Sequence, residues 1–155
     1  MPNCIITTGN IGCGKTTLSH KYVKKRYIIV SRDQLRYGLG NGRYIFHVET
    51  ENVVWKTELF LFEELLKIGL NLFVDEIGIN GKMRKRYIKI LKQYKNYKII
   101  SIELPRLSKE KAVTRRLKTN HGTTNRKVWN SVWTRFDYLY ESPKQNEGFH
   151  KLIKL

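Results

Sequence analysis

Residues 9–16 read Gly9-Asn10-Ile11-Gly12-Cys13-Gly14-Lys15-Thr16 and fit the pattern G-x-x-x-x-G-K-[ST]. No other feature narrows the fold as much, because the pattern is useful only where a strand turns through a glycine-rich loop into a helix. That setting is present: the apolar run Asn3 to Thr8 precedes the loop, and a helical pattern carrying Leu18 and Tyr22 runs from Lys15 to Lys25. Glycines at 9, 12 and 14 let the backbone take positive φ and turn successive N–H groups inward, so an anion meets a nest of donors at the positive end of a helix. Lys15 supplies a mobile cation for β- and γ-phosphate oxygens, and the Thr16 hydroxyl suits Mg²⁺, with Thr17 beside it. A site for ATP and Mg²⁺ along Gly9, Asn10, Ile11, Gly12, Cys13, Gly14, Lys15, Thr16 and Thr17 is therefore the first expectation.

Beyond the loop, short apolar runs alternate with longer periodic segments. Tyr27 to Ser31, Leu70 to Asp75 and Tyr97 to Leu104 read as further strands, dense enough in Ile, Val and Phe to be covered on both faces. Between them, Val53 to Ile68 carries Trp55, Leu59, Phe62 and Leu66 at helical spacing, and Met83, Tyr87, Ile90 and Tyr94 mark another apolar stripe. Such alternation predicts an α/β domain with a mainly parallel sheet. Two more helices are expected, about 108–118 and about 124–140, and a short strand at Lys151 to Leu155. Trp129 and Trp133 lie beside the stripe Val128, Val132, Phe136 and Leu139, a spacing that favours packing over base stacking.

The chain's 155 residues suit one domain, residues 1–155. Its apolar stretches are too short for a signal peptide or a membrane span. Two cysteines, Cys4 and Cys13, without a metal-like histidine cluster, fit reduced thiols and a cytoplasmic setting. Thirty Lys and Arg stand against 13 Asp and Glu, giving a net charge of +17. The imbalance is concentrated between residues 77 and 140, where 17 basic residues face 3 acidic ones, whereas Glu49 to Glu76 holds seven of the thirteen acids. A field of this kind favours polyanionic partners through counterion release, although solvated lysines on helix surfaces give the same composition.

Two carboxylates stand at strand ends. Asp75 closes the run Leu70-Asn71-Leu72-Phe73-Val74, where it can hold Mg²⁺ through the metal's water shell or simply cap the strand. Asp33 follows the second strand in Ser31-Arg32-Asp33-Gln34-Leu35-Arg36, on the same sheet edge as the glycine loop. There it suits a general base for a hydroxyl nucleophile, with Arg36 one helical turn on to hold an acceptor phosphate. A helix-capping aspartate beside a solvated arginine is the competing reading.

Together these elements resemble the kinase domain of phage-type and bacterial 5′-hydroxyl polynucleotide kinases, from Cys4 to about Tyr140. The resemblance rests on the phosphate loop, on Ser31 to Arg36, on Asp75 through Asn80 with Arg84, and on a late basic segment before a helix containing Val132 and Phe136. It implies a three-layer P-loop kinase fold with four or five strands and a helical lid at about 106–122. It further implies ATP as donor, Asp33 as general base, Arg36 and Arg84 on the acceptor side, and 5′-hydroxyl ends of DNA or RNA as partners. The lid arginine of that family aligns with Arg115, Arg116 or Arg126, of which Arg116 is favoured.

Two rivals remain. Asp75-Glu76-Ile77-Gly78 fits the D-x-x-G signature of nucleotide switches, and Glu76 could orient water in an ATPase, although no [NT]-K-x-D guanine motif occurs. A P-loop kinase of a small metabolite or sugar is the other, and a binding module that has lost catalysis is disfavoured by the presence of Lys15, Thr16, Asp33 and Asp75.

Overall fold

The computed structural model describes residues 1–119 and 121–155. Strands β1 (Asn3–Thr8), β2 (Ile28–Val30), β3 (Leu72–Val74), β4 (Lys98–Glu103) and β5 (Lys151–Lys154) form one sheet in the order β2-β3-β1-β4-β5, every pair parallel. Helices α1 (Lys15–Val23), α2 (Arg32–Leu39), α3 (Val48–Ile68), α4 (Gly81–Leu91), α5 (Lys109–Leu117) and α6 (Arg126–Tyr138) make the connections and the lid. β1 is central: the chain leaves it for the edge strand β2, returns inward to β3, and then crosses β1 to β4 and the far edge β5. A sheet wound this way leaves a crevice at the carboxyl ends of its strands where the direction reverses. The loop after β1 opens into that crevice.

Burial on both faces explains why the strands read as unbroken apolar runs. On one face Cys4, Ile6, Leu72, Val74 and Ile99 pack against Phe62 and Leu66 of α3 and Tyr87, Ile88 and Leu91 of α4. On the other, Ile5, Phe73 and Ile102 meet Leu18 and Tyr22 of α1. Phe62 and Phe73 are fully buried, each contributing on the order of 1.5–3 kcal/mol. A third cluster joins Ile11 of the phosphate loop to Val113 of α5 and Trp129 of α6, with Val132, Trp133 and Phe136 beside it, so both tryptophans pack rather than stack on a ligand.

The boundaries differ from the sequence-based expectation in physically legible ways. β2 and β3 are each shorter than their apolar runs, three residues apiece, paired in register from Ile28 on Leu72 to Val30 on Val74. α3 begins five residues before Val53, since its first turn is polar: Glu49 and Glu51 complement the helix dipole there. It stops at Gly69, whose φ of 81° is left-handed. α4 is capped by Asn80, whose side chain accepts from the Met83 N–H at 3.0 Å. The segment expected as a lid, about 106–122, contains α5, with Asn120 outside the described residues. Among the described residues no helix is long and apolar enough to cross a membrane.

Arg84, expected on the acceptor side, requires a correction. Its side chain is fully buried under the sheet edge, paired with Glu147 through Nε (2.8 Å) and Nη2 (2.7 Å) and donating from Nη1 to the carbonyls of Gly78 and Glu141. Every nitrogen is committed to joining α4 to the C-terminal segment, so the residue is structural.

Candidate active site

Sharp turning fixes the phosphate loop. Gly12 (φ 69°) and Gly14 (φ 105°) are left-handed, and Gly14 opens α1. A Cβ on Gly12 would lie 2.3 Å from the carbonyl oxygen of Ala112 in α5, so the lid helix rests on the loop's backbone. Gly9 does not take positive φ; glycine is needed there because a Cβ would meet the Cys13 sulfur at 2.5 Å. Asn10 ties the loop to α6, its Nδ2 donating to the Trp133 carbonyl at 3.0 Å. Lys15 Nζ donates to the carbonyls of Gly9 (2.9 Å) and Asn10 (2.8 Å), which holds the ammonium across the loop.

Asp75 stands beyond β3, nearly buried. Burial pushes its carboxyl up, while the Lys15 ammonium and hydrogen bonds from Thr16 and Ser19 oppose that rise. Ser19 Oγ lies 3.3 Å from Asp75 Oδ2 and 2.9 Å from the Thr16 carbonyl. Thr16 and Asp75 thus offer two hard oxygen ligands at the mouth of the loop, and this donor set fits Mg²⁺, a cation that keeps several waters. Held there by Thr16 and Asp75, the ion would supply positive charge to offset that of the phosphates. Glu76 is otherwise engaged: both of its oxygens accept from Arg32, one from the backbone N–H at 2.8 Å and the other from Nε at 2.9 Å and Nη2. The same guanidinium lies 3.7 Å from the centroid of Trp55.

Asp33 lies in the first turn of α2 and meets the lid. Its Oδ1 accepts from Arg36 Nη1 (2.7 Å) and Tyr44 OH (3.0 Å), and its Oδ2 faces His121 Nε2 (3.5 Å) and Arg116 Nη2 (3.9 Å). Burial alone would raise the Asp33 carboxyl, but the His121 hydrogen bond and the Arg116 and Arg36 guanidinium groups outweigh it and hold it well below the usual carboxylate range. Arg36 donates its remaining fork to Glu51, Nε to Oε1 at 2.9 Å and Nη2 to Oε2 at 2.6 Å. Arg116 packs over Trp129 at 4.6 Å, and its buried Nε has no hydrogen-bond partner.

These groups share one cleft of ≈ 1400 Å³. Lys15, Thr16, Thr17, Asp33, Arg36, Asp75 and Arg116 all line it, as does Arg115, whereas Arg126 does not. Sequence reasoning missed His121, Tyr44, Glu51 and Ser19. Ser19 was within reach, one turn after Thr16 on a recognised helix. His121 was not, since no spacing links it to Asp33, and its ring is placed by Thr119 Oγ1 (2.8 Å) and the Tyr44 ring (5.2 Å).

Solved structures share this architecture. A putative kinase from Chloroflexus aurantiacus is 20% identical over 99% of this chain and 87% of its own, with a TM-score of 0.72. A fungal RNA kinase is 16% identical over 99% and 75%, TM-score 0.67. A chain of the Pnkp1/Rnl/Hen1 complex is 21% identical over 74% of this chain, TM-score 0.61, and this chain spans only 38% of its length. A gluconokinase from Sinorhizobium meliloti and a shikimate kinase from Acinetobacter baumannii also match, at 13% and 19% identity and TM-scores of 0.59 and 0.57, over 99% and 100% of this chain and 82% and 84% of theirs. At such identities the likeness is one of fold, a P-loop kinase fold hosting both RNA and small-molecule kinases. No curated protein matches. A family model described as AAA domain matches residues 4–139.

Proposed function

The chain belongs to the AAA domain family, and from that premise we propose that it is an ATP-dependent kinase of 5′-hydroxyl nucleic acid ends, working in the cytoplasm. One observation carries the reading. Asp33, a carboxylate held by Arg36 and Tyr44, stands in the same cleft as Lys15 and opposite the lid guanidinium of Arg116.

In this reaction the loop N–H groups and Lys15 bind the β- and γ-phosphates, and Thr16 and Asp75 would hold Mg²⁺. The acceptor's 5′-oxygen attacks the γ-phosphorus, the bond to the β-bridging oxygen breaks, and the hydroxyl proton passes to Asp33. A carboxylate this acidic is a weak base, which suits a loose transition state in which proton transfer comes late and position matters more than basicity. Arg116 neutralises charge on the transferring group. Arg36 reaches an acceptor phosphate by exchanging Glu51 oxygens for phosphate oxygens of the same bidentate geometry. Glu76, with both oxygens on Arg32, is poorly disposed to orient water, which favours a kinase over an ATPase.

The nucleic acid preference draws on the net charge of +17 and on the likeness to proteins named as an RNA kinase and an RNA repair complex. The likeness to gluconokinase and shikimate kinase supports a small-molecule acceptor instead. Transfer of labelled γ-phosphate to 5′-hydroxyl oligonucleotides, with free nucleosides, 3′-phosphorylated nucleotides, sugars and water as competitors, separates these readings. Oligonucleotides should win by orders of magnitude. Preferential labelling of a sugar overturns the nucleic acid assignment, and fast acceptor-independent hydrolysis overturns the kinase.

A further inference from the structure

Residues 40–47, between α2 and α3, form a loop that flanks the cleft next to Asp33. Its shape is tightly set. Asn41 (φ 49°) and Gly42 (φ 87°) are left-handed, and a Cβ on Gly40 would fall 2.0 Å from the Arg43 carbonyl oxygen. The Gly42 N–H donates to the Tyr37 carbonyl at 2.8 Å. Tyr44 anchors the loop inward, through its hydroxyl on Asp33 and its ring against Tyr37 at 5.3 Å. Two residues on, Phe46 does the opposite: its ring lines the cleft yet stays 58% exposed, with the Arg36 guanidinium carbon 5.5 Å from its centroid.

A single exposed phenylalanine on an open surface calls for no explanation. Here the ring instead lines the cleft that holds Asp33, together with Arg36, His47 and Glu51. Resting on the kinase reading above, we infer that Phe46 is a stacking platform for the base of the acceptor's 5′-terminal nucleotide. Arg36 touches both points, its Nη1 2.7 Å from Asp33 Oδ1 and its guanidinium carbon 5.5 Å from the ring centre, so Asp33 and Phe46 border the same guanidinium within one cleft. A sugar acid has no π-face to offer the ring. Stacking is also indifferent to base identity, as an enzyme acting on arbitrary 5′ ends requires.

The test is a double-substitution cycle between the ring and the base. Wild type and Phe46→Ala are assayed with two 5′-hydroxyl oligonucleotides that differ only in whether the terminal nucleotide carries its base or is abasic. Phe46→Ala should raise KM for the intact acceptor roughly 5- to 150-fold and change the abasic acceptor far less, removing the wild type's preference. Phe46→Trp should retain that preference, and thermal unfolding should be unaltered because the ring is exposed. Equal effects on both acceptors, or none on either, overturn the platform while leaving the kinase reading intact. Failure of the wild type to label either oligonucleotide overturns the nucleic acid assignment, and the platform with it.

Discussion

Asp33 and Glu58 show how differently two carboxylates behave within one chain. Asp33→Asn keeps the shape of the side chain and removes its capacity to take a proton, so turnover should fall by about 10²–10⁴-fold with ATP affinity nearly unchanged in a binding titration; a parallel loss of ATP affinity would assign Asp33 to the metal instead. Glu58 is fully buried on α3, with Oε1 accepting from Tyr87 OH at 2.9 Å and Oε2 without a partner. Burial, and then the charge of Glu76, pushes its carboxyl up to about 7. A raised acid binds its proton more tightly folded than unfolded, so this group lowers stability as pH climbs from about 4.3, its unfolded value, to about 7, and no further above that. Glu58→Gln should therefore gain on the wild type in urea midpoint across that window, and parallel pH profiles would refute the coupling. Asp33, Arg36 and Asp75 were legible in sequence because they sit at fixed offsets from strand ends. Glu51 and His121 were not, because their partners are 15 or more residues away and brought near only by the turns between α2, α3 and the lid.

At the scale of elements, the phosphate loop and the lid form one unit. Gly12 stands at φ 69° with its α-carbon against the Ala112 carbonyl, so Gly12→Ala both strains the backbone and forces α5 away. ATP affinity should drop at least tenfold while the thermal midpoint moves only a few degrees, read by nucleotide titration and calorimetry; unaltered affinity would mean that the lid does not rest on the loop during binding. Strand existence could be read from the apolar runs, since sheets buried on both faces leave continuous hydrophobic sequence. α2 was legible only as a helix start at Asp33 and Arg36. Arg32 to Leu39 has few apolar residues, and its extent rests on tertiary contacts, chiefly those of buried Arg36 with Asp33 and Glu51.

For the whole molecule, the basic residues divide into those that build and those that face solvent, a distinction invisible to composition. Arg84→Met should destabilise by about 3–5 kcal/mol, because it leaves Glu147 half-buried and unpaired. Lys85→Glu and Lys89→Glu, on the exposed face of the same helix, should leave stability within about 0.5 kcal/mol and flatten the salt dependence of KM for oligonucleotides. Equal loss of stability in all three would erase the distinction. The lid shares this division of labour. Its root packs against the phosphate loop where Ala112 meets Gly12, and its tip reaches Asp33 through Arg116 and His121. On the kinase reading proposed above, a segment seated on the donor loop and touching Asp33 at its far end predicts that donor binds before acceptor and that release of spent nucleotide is the slow step, which a pre-steady-state burst of product would check.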